Sequence, residues 1–281
     1  MSHWHGKHVL VTGASSGAGL ATAELLASQG AAVSLLARDP ERLEIAREAV
    51  MAVRADSAQR IAAIPCDVGD WEQVRMAVAR AEDEGGPVGA LVACAGFCTP
   101  GRFVELPLDE FRRHIDVNLL GVIHATRAVV PGMIERGSGH IGMVSSMGGL
   151  VGVYGYSAYS AAKFGVTGFA EVLRCELKPH GIGVTLLVPP NMETPGYARE
   201  LELEPPETAA INGIAKTWPP EAVARQFVRG MERNHFLVLP GVVNKLLYRA
   251  EGIWPEAFFA LFDSKVAGVR RKGAGADVPH S

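Results

Sequence analysis

Short apolar runs alternate along this chain with longer stretches in which apolar residues recur at helical spacing. His8 to Thr12 is the first strand-like run. Gly17 to Gln29 follows as a predicted helix, with Leu20, Ala23, Leu26 and Ala27 on one face and Gly30 where a helix often stops. Ala32 to Leu36 reads as the second strand, and further strands are predicted at Arg60 to Pro65, Ala90 to Ala93, His140 to Ser145, Val184 to Val188 and Phe236 to Leu239, with helical segments between them. Parallel strands need crossovers of roughly a dozen residues or more, nearly always right-handed, so helices come to cover both faces of the sheet. The pattern therefore predicts a doubly wound α/β architecture. No long-period repeat interrupts it, and the pairs Pro205-Pro206 and Pro219-Pro220 sit where helices start. After Leu239 the alternation ceases. Two apolar helical stretches are expected around Asn244 to Ala250 and Glu256 to Val269, followed by Arg270-Arg271-Lys272 and a Gly-rich, frayed end. The chain thus divides into a sheet domain over 1–240, with a substrate loop at 190–218, and a helical tail over 241–281.

Composition narrows the function. With 281 residues, 48% of them hydrophobic, and a net charge of -3, the chain can bury a large core and is not a disordered polyelectrolyte. A pI near 6.3 gives no basic field for a phosphate backbone, which excludes nucleic acid and moves small molecules forward. The four cysteines form no disulfide framework, and Cys94 and Cys98 lack companions at zinc spacing, so free, mostly buried thiols and no metal site are expected. Met1 to Val9 holds no apolar run resembling a signal sequence, which points to a cytoplasmic location. Gly137 to Ala162 carries no charge and is long enough for a membrane span, but its seven glycines, five serines and three tyrosines would leave polar groups unpaired in hydrocarbon. A buried strand and loop at a binding site accounts for it better.

Directly after the first strand comes Thr12-Gly13-Ala14-Ser15-Ser16-Gly17-Ala18-Gly19, opening into the predicted helix. Glycines there let the chain turn tightly and let backbone approach a pyrophosphate, which then rests at the positive end of the helix. At the end of the second strand, where an acidic side chain would meet a free ribose 2′-hydroxyl, stand Ala37 and Arg38. Arginine suits a 2′-phosphate and favours NADPH over NADH; the alternative is a solvated Arg38 with Asp39 as the acidic partner.

Tyr159 and Lys163, four residues apart, share one helix face. A free tyrosine has a pKa of about 10, so a neighbouring cation that stabilises phenolate would make it useful in proton transfer. Ser146 stands thirteen residues before Tyr159, at the end of the fifth strand, at the sheet edge where open α/β sheets bind ligands. Asn118 is polar between Val117 and Leu119, and a buried amide there would hold a helix distortion or a water.

Taken together, the Gly loop, Asn118, Ser146 and the Tyr159-Ser160-Ala161-Ala162-Lys163 segment resemble the short-chain dehydrogenase/reductase family over roughly Lys7 to Leu239. The resemblance implies a Rossmann fold and a homo-oligomer. It also implies catalysis by Tyr159 as general acid, Ser146 polarising a carbonyl, Lys163 on the nicotinamide ribose and Asn118 holding a relay water. It places the cofactor on Gly13, Ser15, Ser16, Gly17, Gly19, Arg38, Asp67, Val68, Ala95, Gly96, Tyr159, Lys163, Pro189, Met192 and Thr194. A turn or capping role is the alternative for Asp67. Two segments depart from the family pattern. Ala93-Cys94-Ala95-Gly96 lacks the usual pair of asparagines, and Pro189-Pro190 replaces Pro-Gly, which stiffens that loop.

The loop from Pro189 to Ala198, with Pro206-Glu207-Thr208, is similar to that of one branch of the family, the 3-ketodihydrosphingosine reductases. This implies NADPH-dependent reduction of a lipophilic ketone. Steroid, secondary-alcohol or 3-oxoacyl chemistry remains an alternative, as does a non-catalytic dinucleotide sensor. A long alkyl chain needs an apolar groove, for which Gly149 to Tyr156, Met192 to Ile214 and the tail residues Leu246, Leu247, Trp254, Phe258, Phe259, Leu261 and Phe262 are candidates. The tail stripe could instead be core, a subunit interface or a peripheral membrane contact.

Overall fold

The computed structural model describes residues 2–213 and 216–276. Its elements follow the predicted alternation: β1 (His8–Thr12), α1 (Gly17–Ser28), β2 (Ala32–Ala37), α2 (Pro40–Val53), β3 (Ile61–Pro65), α3 (Trp71–Gly85) and β4 (Ala90–Ala93). Then α4 (Leu108–His114) runs through a π-helical turn at Ile115–Leu120 into α5 (Gly121–Arg136), followed by β5 (Gly139–Val144), α6 (Ser157–Leu177) and β6 (Ile182–Leu187). The chain closes with α7 (Pro195–Leu203), α8 (Pro206–Asn212), α9 (Pro220–Glu232), β7 (Leu237–Val238), α10 (Val242–Ile253) and α11 (Pro255–Ala276). Strand positions agree with the sequence expectation to within two residues.

All seven strands lie parallel in the order β3-β2-β1-β4-β5-β6-β7. Strand order reverses between β1 and β4, where Val9 pairs with Val33 on one side and Ala90 on the other. Each strand sends alternate residues to opposite faces. Leu10, Leu91, Ile141 and Met143 join α3, α5 and α6 in one core, whereas Val9, Val11, Val33 and Val92 join α1, α2 and α9 in the other. Burial on both faces explains the continuous apolar runs Val9-Leu10-Val11 in β1 and Ala90-Leu91-Val92-Ala93 in β4.

Local chemistry sets the helix starts. Asp39 accepts hydrogen bonds from the Glu41 and Arg42 amides at the start of α2, and Asp70 accepts from Gln73 at the start of α3. Proline at the first helical position opens α7, α8 and α9. The Leu108–Arg136 stretch, with a mean hydropathy of 1.4, is long and apolar enough to cross a membrane, but Val122, Ala125, Val129 and Met133 pack it into the core. The tail helix α11 packs against α8 and α10, while Leu246, Ile253, Trp254, Phe259 and Leu261 remain exposed. Ile214 lies outside the described residues, as do the chain end over 277–281 and the side chains of Phe258 and Lys272.

Phe227 of α9 is wholly buried, and its ring fills the space left by the missing side chain of Gly142 on β5. Phe227→Ala is expected to destabilise the fold by about 3–5 kcal/mol. Ile45→Ala, at a position that is 68% exposed, is expected to stay within about 0.5 kcal/mol. Urea unfolding midpoints of the two variants check the contrast.

Candidate active site

The carboxyl ends of the strands open into a cleft of about 560 Å³ at the point where strand order reverses. Residues from the β1 turn, the β2 end, the β4 turn, the start of α6 and the loop after β6 line it. The predicted residues Gly13, Ser15, Ser16, Gly17, Gly19, Arg38, Val68, Ala95, Gly96, Ser146, Tyr159, Lys163, Pro189, Met192 and Thr194 all lie on its walls. Two predicted residues are not among those that line it: Asn118 is wholly buried, and Asp67, half-buried, accepts a 3.0 Å hydrogen bond from the Gly69 amide in a turn.

Backbone contact shapes the cradle. A Cβ on Gly13 would sit 2.7 Å from the Ala95 backbone, so the turns after β1 and β4 can meet only because that side chain is absent. Gly13 and Gly17 both hold positive φ, at 67° and 59°, which glycine adopts without strain. The N-terminus of α1 carries no side-chain cap from Ser16 and no acidic residue in its first turn, leaving its free amides and positive dipole end facing the cleft. Arg38 and Arg42 add two guanidinium groups at the end of β2, while the Asp39 carboxylate beside them is engaged as the α2 cap. Arg38 makes no hydrogen bond or ion pair with another described residue. This donor set fits a dinucleotide, for whose pyrophosphate the free α1 amides would be the donors.

On the opposite wall, Lys163 is 4% exposed. Its ammonium donates to the Val144 carbonyl at 2.9 Å and lies 5.8 Å from the centre of the Tyr159 ring. Burial pulls its pKa down to about 8, against the opposing influence of the Cys94 and Cys98 thiols. Burial also raises the Tyr159 pKa above the ordinary phenol value, Cys98 adds to the rise, and a hydrogen bond with Ser146 works the other way. The Ser146 hydroxyl accepts from the Gly148 amide at 3.1 Å, which fixes its direction. The tyrosine is therefore held protonated, as a general acid needs before donating.

Asn118 occupies the π-helical turn. Its side chain clamps the Phe97 backbone, accepting from the amide at 2.9 Å and donating to the carbonyl at 3.0 Å. One N–H and one lone pair of the amide remain for a water. Behind Tyr159, His114 accepts from the Thr99 amide through Nε2 at 3.1 Å and so donates through Nδ1 to the Glu110 carbonyl at 2.7 Å. Burial lowers its pKa, which keeps the ring neutral.

Sequence reading did not single out His114, Tyr156, Glu200 or Arg42. Tyr156 precedes Tyr159 by three residues and so could have been placed on the same helix face, and Arg42 stands only four residues after Arg38. Glu200 gave no comparable signal. The groove expected from the tail does not form: none of the described tail side chains lines the cleft, because α11 lies against α8 and away from the cleft. All four cysteines are free, and Cys94 is pushed up to about 12 by burial; against the expectation of mostly buried thiols, only Cys66 is fully buried, Cys94 and Cys98 are half-buried and Cys175 is exposed. No group of metal-binding side chains occurs among the described residues.

A family model described as short chain dehydrogenase matches residues 7–204. The chain is 40% identical over 233 residues to a 3-dehydrosphinganine reductase of Danio rerio, an alignment covering 83% of this chain and 70% of the relative. It is 36% identical over 281 residues to a 3-ketodihydrosphingosine reductase of Dictyostelium discoideum, covering 95% and 84% of the two chains. The crystal structure of a levodione reductase superposes with a TM-score of 0.77 at 26% identity, covering 85% of this chain and 97% of that one.

A Cβ on Gly96 would lie 2.6 Å from Asn118 Oδ1 and 3.4 Å from Lys163 Nζ. Gly96→Ala is expected to break the amide clamp on Phe97 and cost about 1–3 kcal/mol, read as a lowered melting temperature.

Proposed function

The chain belongs to the short-chain dehydrogenase/reductase family, and on that premise we propose that it reduces 3-ketodihydrosphingosine to dihydrosphingosine with NADPH. The observation that carries the chemistry is a half-buried Tyr159, hydrogen-bonded to Ser146 and backed by the buried ammonium of Lys163, at the carboxyl edge of the sheet. The substrate assignment is supported by relatives named as 3-dehydrosphinganine and 3-ketodihydrosphingosine reductases that align with most of this chain.

When bound on the α1 cradle, the nicotinamide dinucleotide supplies the hydride. Tyr159 gives its hydroxyl proton to the carbonyl oxygen as that oxygen gains charge. Ser146 donates a second hydrogen bond to the same oxygen, stabilising the charge where it develops. Lys163 holds the nicotinamide ribose, and its positive charge lowers the cost of the phenolate left on Tyr159. Asn118, with one N–H and one lone pair to spare, holds the water through which Tyr159 regains a proton. Met147, Tyr156, Met192 and Leu203 give the cleft apolar wall for an alkyl chain. The exposed Leu246, Ile253 and Trp254 support peripheral membrane contact by the tail of a cytoplasmic enzyme, with subunit contact as the alternative use of that face.

Two outcomes are expected. Purified protein should oxidise NADPH with 3-ketodihydrosphingosine, and Tyr159→Phe should lower kcat by about 10²- to 10⁴-fold; turnover confined to steroid or 3-oxoacyl ketones would overturn the substrate assignment. Arg38→Ala should erase a preference for NADPH over NADH in binding titrations, since a forked arginine contact with phosphate is charge-assisted; no preference in the wild type would overturn the cofactor assignment.

A further inference from the structure

Apart from Asp39, which caps α2, the cleft holds one carboxylate that the proton-transfer chemistry does not use. Glu200 of α7 lines the cavity and accepts a hydrogen bond from the Tyr156 hydroxyl. The Tyr156 ring in turn meets the Tyr159 ring edge-on, with centroids 5.7 Å apart. Asn212 of α8 braces the arrangement, donating to the Tyr156 oxygen at 2.7 Å and to Glu204 at 2.9 Å. A chain of polar contacts therefore runs from α8 through Tyr156 to a carboxylate in the substrate cleft, one aromatic ring away from the proposed proton donor.

What that carboxylate lacks is a cation. Glu200 forms no ion pair with any described residue, although Arg199 is its chain neighbour and also lines the cleft. Burial raises its pKa, the Tyr156 hydrogen bond opposes the rise, and the nearby Glu204 adds to it. Its charge is felt in turn at Tyr159 and Cys98, both of which it pushes up. A negative charge kept beside the acid and left unneutralised by the protein disfavours formation of a phenolate. A half-buried carboxylate without an ion-pair partner is costly unless a ligand completes it.

We propose that Glu200 is the subsite for the ammonium group of an α-amino ketone, positioned by Tyr156 and Asn212, and that it makes the enzyme select amino ketones over neutral ketones. This rests on the reading of the substrate as a keto-sphingoid, in which the amino group is on the carbon next to the carbonyl. Glu200 and Tyr156 line the same cleft as Tyr159 and Ser146, so a ketone whose oxygen meets that pair can turn the amino group on its neighbouring carbon toward Glu200. The pairing also neutralises the charge that otherwise opposes phenolate formation on Tyr159, so the amino group assists both binding and proton donation. A neutral ketone of equal chain length gains neither.

The test compares 3-ketodihydrosphingosine with its des-amino and N-acetyl analogues in wild type, Glu200→Gln and Glu200→Asp. Wild type is expected to prefer the amino ketone, and Glu200→Gln should reduce the ratio of kcat/KM values for amino over des-amino substrate by on the order of 10- to 100-fold, as for loss of a charge-assisted hydrogen bond. Glu200→Asp, which keeps the charge, should retain part of the ratio. A wild type that prefers the amino ketone and a Glu200→Gln enzyme with the same ratio, even at lower overall activity, would overturn the subsite. A wild type with no activity on any sphingoid ketone would instead overturn the substrate reading on which it rests.

Discussion

A lysine ammonium buried behind the cleft is the constraint around which the rest is arranged. A charge removed from water must be given partners, and Lys163 finds its hydrogen-bond acceptor in the Val144 carbonyl at the last residue of β5. That bond ties α6 to the sheet edge and sets where Tyr159, one helical turn earlier, meets the cleft. Held to a pKa of about 8, the group binds its proton less tightly in the folded protein than in the unfolded chain. The charge therefore costs stability through the neutral range, and the cost fades as pH rises from about 8 toward the ordinary lysine value. A fold that keeps such a group keeps it for its chemistry.

Small residues make the arrangement sterically feasible. A Cβ on Gly149 would come within 2.7 Å of the Lys163 carbonyl, and one on Gly96 would strike the Asn118 amide. The Ser145 hydroxyl fills part of this space, donating to the Lys163 carbonyl at 3.0 Å. The Gly-rich, uncharged stretch from Gly137 to Ala162 is thus a place where backbone replaces side chain so that α6 can lie against the loop after β5. The same principle operates across the cleft, where Gly13 lets the turns after β1 and β4 touch. Close backbone approach on both walls makes room for the side chains that set the chemistry, among them Arg38, Ser146, Tyr159 and Glu200.

The substrate side is assembled from more distant parts of the chain. Trp218 pairs with Met192 in a short parallel bridge and so anchors the start of the loop after β6. Farther along, Glu207 of α8 is buried with the Arg102 guanidinium at 3.2 Å, and Arg270 of α11 approaches to 3.9 Å. Burial pushes the Glu207 carboxyl up, but its backbone hydrogen bond and Arg102 hold it below the ordinary value. This junction explains the tail: α11 supports α8 from outside, and α8 supports Tyr156 through Asn212.

By itself the sequence determined the alternation of strands and helices, the glycine loop on α1 and the Tyr159–Lys163 pair, because each is a local pattern with a fixed period or spacing. Arg38 was legible for the same reason, as a residue at a known offset from a strand. Tertiary structure decided what depends on chain segments far apart in sequence. It engaged Asp39 and Asp67 in a helix cap and a turn, wrapped Asn118 around Phe97, and moved the apolar tail from the cleft to the outer side of α8. Glu200 could be recognised only there, since what distinguishes it is that it forms no ion pair with any described residue and has the company of a tyrosine 44 residues away. Short-range periodicity fixes elements; the environment of a charge is a property of the packed whole.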